Sequence, residues 1–287
     1  MLQLGTLLAL ACALATNVAL LCKHRGAVAA RAVELRRPLK SAGALFRSPW
    51  WTIGFAIALV AWVLHVAALA VAPLSLVETT ISGSLVLLAW LAERWFGVRI
   101  GTREWLGLAL CAGGLALLAA TSANPGDPSA SYSTGAMISF EAGAVATGAL
   151  LLMSGSAGTF RRSSGPLLGA AAGLLLGVAN VSIKALTGTV PGDLLSVLSP
   201  WALIALVAGV GAFFALARGL QTGGAIPVIT LMTVGANLVS VTGGVIVFGD
   251  PVGGDPLAVA ARCTAFVAVI AAAALMPGPL RGARARA

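Results

Sequence analysis

The sequence predicts an all-α membrane protein, a nine-helix bundle built from two inverted four-helix repeats and one linking helix. Three observations predict it. The first is composition: the 287 residues are 59% hydrophobic and only 9% charged, with mean hydropathy +0.99. Soluble domains carry about 25% charged residues. The second is segmentation into nine apolar runs, each long enough to cross a ~30 Å hydrocarbon core as a helix. The third is that the layout of the last four runs echoes the first four. In lipid a helix satisfies every backbone group internally. The length leaves no room for a separate soluble domain, so residues 1–287 read as one transmembrane domain.

The expected spans run roughly over 4–22, 51–72, 74–92, 104–121, 135–156, 166–187, 200–217, 226–248 and 256–276. Span 1 has no basic residue before its apolar run, and its positive charges follow it, so it reads as a helix and not as a cleaved signal. Spans 2 and 3 are separated only by a turn at Pro73. The stretch 122–135, "SANPGDPSASYSTG", is the longest polar, turn-rich interruption on the expected outer side. It separates four spans from the next five. The 35 glycines allow close helix packing. The four cysteines fall inside apolar runs with no metal-binding spacing, and read as reduced packing residues.

Basic residues set the expected orientation. The loop after span 1 carries Lys23, Arg25, Arg31, Arg36, Arg37, Lys40 and Arg47, and the loop after span 3 carries Arg94, Arg99 and Arg103. Arg161, Arg162, Arg218 and the arginines near the end of the chain continue the pattern, and the alternate loops lack Lys and Arg. The N-terminus is therefore expected outside and the C-terminus in the cytoplasm, in the plasma or inner membrane. The net charge of +9 is a topology signal rather than a nucleic-acid footprint. The stretch "KHRGAVAARAVELRRPLK" reads either as a solvated loop or as a short basic helix drawn to anionic headgroups.

The first repeat, 4–121, has a Trp-led helix, Pro73, a helix ending near Glu93 and a Gly-rich helix. The second, 166–276, has "PWALIALVAGVGAFFALARG", Pro227, a helix ending near Asp250 and a final helix. Residues 135–156 link them. An offset of five spans reverses the second repeat in the membrane, which is a recurring plan in secondary transporters. The order "SPWWTIGFAIALVAWVLHVAALAVAPLSLVE…LAERWFGVRIGTREWLGLALCAGGLALLA", with "AAAGLLLGVANVSIKALTG", resembles the drug/metabolite transporter superfamily and its EamA-type repeat. The nine-span count is closer to the NIPA-type branch, which is associated with magnesium transport. The resemblance implies alternating access around a path between the repeats.

Polar residues inside spans are costly, so they mark candidate sites. Span 3 carries Ser75, Glu78, Thr79 and Ser82 as one stripe. Its repeat mate, span 8, carries Thr230, Thr233, Asn237 and Ser240. Two matching stripes indicate a shared aqueous cavity; hydrogen bonding between helices is the alternative. Span 6 carries Gly173, Gly177, Asn180 and Lys184 on one face, with Asn17 of span 1 as the counterpart of Asn180. His65, Glu78, Glu141, Lys184 and Arg262 all fall in the expected outer half of the bilayer. They read as cross-helix charge pairs, or as a site at which Glu78, or else Glu141, binds a proton or cation. Burial disfavours the charged form of a carboxylate and so favours proton uptake.

No nucleotide-binding, hydrolase or metalloprotease motif occurs, so no enzyme activity, cofactor or resident metal is expected. The expected function is secondary active transport of a small metabolite or drug-like solute. The alternatives are Mg²⁺ transport and a non-transporting, lipid-handling role. The expected partners are membrane lipid and a small-molecule or ion substrate, without nucleic acid; homodimer formation is left open.

Overall fold

The computed structural model describes residues 2–34, 38–71, 84–97, 100–121, 132–156, 164–187, 199–249 and 256–275. These residues form helices and their connections, with no strand among them. The helices are α1 (Leu2–Ala29), α2 (Pro38–Phe46), α3 (Pro49–Val71), α4 (Leu85–Phe96), α5 (Thr102–Thr121), α6 (Thr134–Ser156), α7 (Ser164–Thr187), α8 (Pro200–Thr222), α9 (Ala225–Phe248) and α10 (Pro256–Leu275). Segments of α1, α6, α7, α8 and α9 are long and apolar enough to cross a membrane, and the bent pair α2–α3 makes a sixth. That architecture fits a multi-pass membrane protein.

Three boundaries differ from the sequence expectation, each for a packing reason. α1 continues seven residues past 22, through Lys23, His24 and Arg25. The cations are accommodated because Lys23 lies over the Phe55 ring at 5.6 Å and Arg25 over Trp50 at 4.3 Å. α8 runs to Thr222 instead of ending at 217, because Gln221 has work to do against α1. A short surface helix does exist, but over Pro38–Phe46, beyond most of the basic stretch. It meets α3 at 92°. Of span 3, only α4 and Ser84 before it lie among the described residues; 72–83 fall outside them.

The packing is organised by glycine. α7 carries Gly165, Gly169, Gly173 and Gly177, one every four residues and hence on one face. A Cβ at Gly169 would sit 2.5 Å from the Val228 oxygen, and one at Gly173 2.3 Å from the Met232 oxygen. At Gly177 it would sit 2.5 Å from Val239. The contacts advance together along both chains, so α7 and α9 run parallel with their backbones nearly touching. Gly165 packs on Gly219 and Gly223 at the far end of α8, which returns antiparallel along α7. In the first half, α1 packs along α3 through Gly26 and Gly54. α6 lies on α7, and α5 pairs with α10.

Several local devices occur twice along the chain. Ser-Pro-Trp opens both α3 (Ser48–Trp50) and α8 (Ser199–Trp201). Proline suits the first turn because its missing N–H has no helical partner there. Phe-Gly closes both α4 and α9, with Gly97 (φ 65°, ψ 20°) and Gly249 (φ 67°, ψ 28°) in the left-handed region that glycine tolerates. Each of these glycines bonds the carbonyl five residues earlier, Ala92 and Gly244. Asn17 of α1 donates to the Ser84 carbonyl at 2.9 Å, and Asn180 of α7 donates to Ser240 Oγ of α9 at 3.3 Å.

Two apolar clusters hold the ends of the bundle. One joins the last turns of α1 and α8 to α2, the start of α3, α4, α5, the start of α9 and the end of α10, and contains Leu21, Leu45, Trp51, Leu88, Leu220 and Ile229. The other joins α6, the last turns of α7 and α9 and the start of α8, and contains Met137, Val178, Val181, Ala208, Val239 and Phe248. Cys12, Cys22 and Cys111 are buried packing residues as expected from their apolar runs, whereas Cys263 is exposed on α10.

Candidate functional site

The second cluster contains a carboxylate. Glu141 sits two turns into α6, 3% exposed. It reaches α7, where the fully buried Ser182 donates its hydroxyl to Oε1 at 2.5 Å. Oε2 is buried with no hydrogen-bond partner among the described residues. A buried charge without a partner is strongly disfavoured, so an oxygen in this state is suited to hold a proton or to meet a cation.

Ser182 is flanked by two of the expected site residues. Asn180 links α7 to α9 through Ser240. The ammonium of Lys184 lies 4.5 Å from the centroid of the Phe248 ring. Four helical residues rise about 6 Å, so Asn180, Ser182 and Lys184 lie within about one helical turn of one another. Phe248 also packs edge-on against Tyr132 at 5.9 Å, and Tyr132 against Trp201 at 5.9 Å. These three rings, from before α6, the start of α8 and the end of α9, close the same end. Aromatic pairs of this geometry add to the stability of a packed cluster.

Thr233 and Asn237 lie further along α9 and use their donors locally. Thr233 Oγ1 donates to the Ile229 carbonyl at 3.0 Å, and Asn237 Nδ2 to the Thr233 carbonyl at 2.9 Å. Thr230, on the same stripe, is fully buried, with no hydrogen-bond partner for its hydroxyl among the described residues. The expected α9 stripe is therefore part helix-internal and part bridge to α7.

Glu78 and Ser82 lie outside the described residues. His65 is placed in α3 and Arg262 in α10 by backbone alone, their side chains being outside the described set. The structure thus brings Glu141, Asn180 and Lys184 to one end, and supplies Ser182 as the partner of Glu141. Charge pairing across helices was one of the two expectations for Glu141. Its described contact is the Ser182 hydroxyl, and Lys184 lies over the Phe248 ring.

Ser182 was missed because it falls two positions from Asn180, about 200° around the helix and off the polar stripe. Gln221 was missed because the expected helix stopped short of it. Its Nε2 donates to the carbonyls of Ala27 and Arg31 at 2.9 Å each, and its Oε1 accepts from Val33 N at 2.8 Å. His24 lies beside the Leu220 backbone at the same place. One turn of α8 therefore holds the end of α1, at the end of the bundle opposite Glu141.

Comparison with protein-family models, with curated proteins and with solved structures finds no match to this chain.

Proposed function

We propose that this protein is a secondary active transporter that moves a small metabolite or drug-like solute across the cell membrane. The transport mode is alternating access between two inverted repeats, with the N-terminus outside and the C-terminus in the cytoplasm. The observation that carries the proposal is Glu141. A carboxylate buried in an apolar helix cluster, with one oxygen held and the other without a hydrogen-bond partner among the described residues, serves no packing purpose that a leucine would not serve better. It does serve a site that takes up and releases a proton or a cation. Intramembrane ionisable groups commonly mark such pathways.

The recurring devices support the repeat reading. Each half has a Ser-Pro-Trp entry to its second helix and an asparagine linking its first helix to its third. Each third helix ends in a Phe-Gly cap. The last helices of the two halves, α5 and α10, pair with each other. The resemblance to the drug/metabolite transporter superfamily points the same way.

In this reading the α6–α9 end is one gate and the Gln221 contact the other. Solute binding changes the hydrogen bonding of Glu141 and Ser182, and the two ends open in turn. Ser182 is suited to the exchange because a hydroxyl donates or accepts by rotation alone.

The test is uptake into proteoliposomes under an imposed pH gradient, with a panel of organic solutes and with Mg²⁺ followed by an indicator dye. Gradient-dependent uptake of an organic solute is expected, and its loss in Glu141→Gln inserted at normal levels. Mg²⁺ flux in place of organic solute flux would overturn the substrate class. Absence of any flux would overturn transport.

A further inference from the structure

A second surface lies at the other end of the bundle. α2 is nine residues long and runs at 92° to α3. If α3 crosses the membrane, α2 lies along its surface. At about 100° per residue, the residues of α2 divide into three stripes. Ser41 and Leu45 form the first; they are 5% and 0% exposed, and Leu45 joins the cluster of Val33 and Trp51. Leu39 and Phe46, seven residues apart, form the second; they are 87% and 42% exposed. Lys40 and Arg47, also seven apart, form the third, and both are exposed. The Arg47 N–H bonds the Gly43 carbonyl at 3.2 Å, so the helical register holds through Arg47.

The surface is built rather than frayed. Ser41 Oγ accepts from Glu34 N at 3.0 Å and donates to its carbonyl at 3.1 Å, fastening the preceding segment onto α2. Gln221 holds Val33 on the other side. Exposed Arg25 and Arg31 stand on that same α1 end. Around this corner the sequence places seven basic residues between Lys23 and Arg47, against the single acidic residue Glu34.

An apolar stripe beside a basic stripe, on a helix parallel to the surface, is the arrangement that dips into the headgroup boundary and meets negative charge there. We propose that α2 and the adjoining end of α1 form a binding surface for the anionic phospholipid headgroups of the leaflet in which they lie. Lys40 and Arg47 are its principal contacts, and Leu39 and Phe46 its apolar footing. Charge complementarity selects this occupant. A zwitterionic headgroup offers the basic stripe no net attraction, whereas an anionic one gains about fivefold in binding per basic residue near the surface.

The test uses the full chain in mild detergent, delipidated and titrated with phosphatidylglycerol or phosphatidylcholine, with retained lipid read by native mass spectrometry. The wild type is expected to retain phosphatidylglycerol in preference. Lys40→Gln with Arg47→Gln is expected to reduce that preference roughly 25-fold. Lys40→Arg with Arg47→Lys is expected to keep it. All these side chains are exposed, and unchanged melting temperatures of the variants exclude misfolding as the cause. Equal retention of the two lipids by the wild type, or an undiminished preference in the double glutamine variant, would overturn the proposal. The measurement does not depend on transport, so its outcome and that of the transport reading are separable.

Discussion

Replacing Gly173 by alanine tests the packing of α7 on α9. The added Cβ would lie 2.3 Å from the Met232 oxygen and 3.0 Å from Met232 C and Cα. Carbon and oxygen in contact keep about 3.3 Å. The two helices must therefore part by about 1 Å at this level. A gap of that size forfeits a quarter to a half of the dispersion attraction of the atoms around it. The obstacle is backbone rather than a movable side chain, so overpacking of about 1–3 kcal/mol is expected. Gly143→Ala is the matched control: it is exposed on α6, and its Cβ would meet nothing within 4 Å. Both variants gain the same helix propensity, about 1 kcal/mol. Their difference therefore isolates the clash. Thermal unfolding in detergent, followed by tryptophan fluorescence, should place Gly173→Ala below Gly143→Ala by roughly 2–12 °C. Equal melting temperatures would refute the close parallel packing of α7 and α9.

Other substitutions probe the remaining contacts. Gln221→Ala removes three hydrogen bonds to the end of α1 and should cost about 1–3 kcal/mol. Hydrogen exchange should quicken at the Val33 amide, and unchanged protection there would contradict the clamp. Gly97→Ala and Gly249→Ala each force an L-residue into the left-handed region with open space around it, so each should cost about 1–2 kcal/mol from the backbone alone. Urea or thermal unfolding that separates the two by much more than about 0.5 kcal/mol would contradict their equivalence.

Apolar run length made most helices legible, because the need to satisfy backbone groups in lipid leaves little choice. The centres of α1, α3 and α5 to α10 fall where the runs predict. Helix ends were less legible. Lys23, His24 and Arg25 look like a loop until Phe55, Trp50 and Leu220 are beside them, and the Gln221 extension depends on a segment almost 190 residues earlier. α2 is hidden for the same reason: its 92° turn is set by what Leu45 packs against, and a basic stretch alone does not fix where the helix begins. At the site, Glu141 was readable because a charge in an apolar run is conspicuous. Ser182 was not, since a lone serine in a helix carries no signal until the opposite helix is placed. The glycine stripe of α7 was visible as a face, and its partner was not.

The most direct test of the account is proton movement at Glu141. Proteoliposomes loaded with a pH-sensitive dye would receive a transported solute, and internal pH would be followed. The wild type should move protons when solute is added, Ser182→Ala should do so more slowly, and Glu141→Gln should not respond while still inserted and folded. A solute-driven pH change in Glu141→Gln equal to that of the wild type would contradict the account.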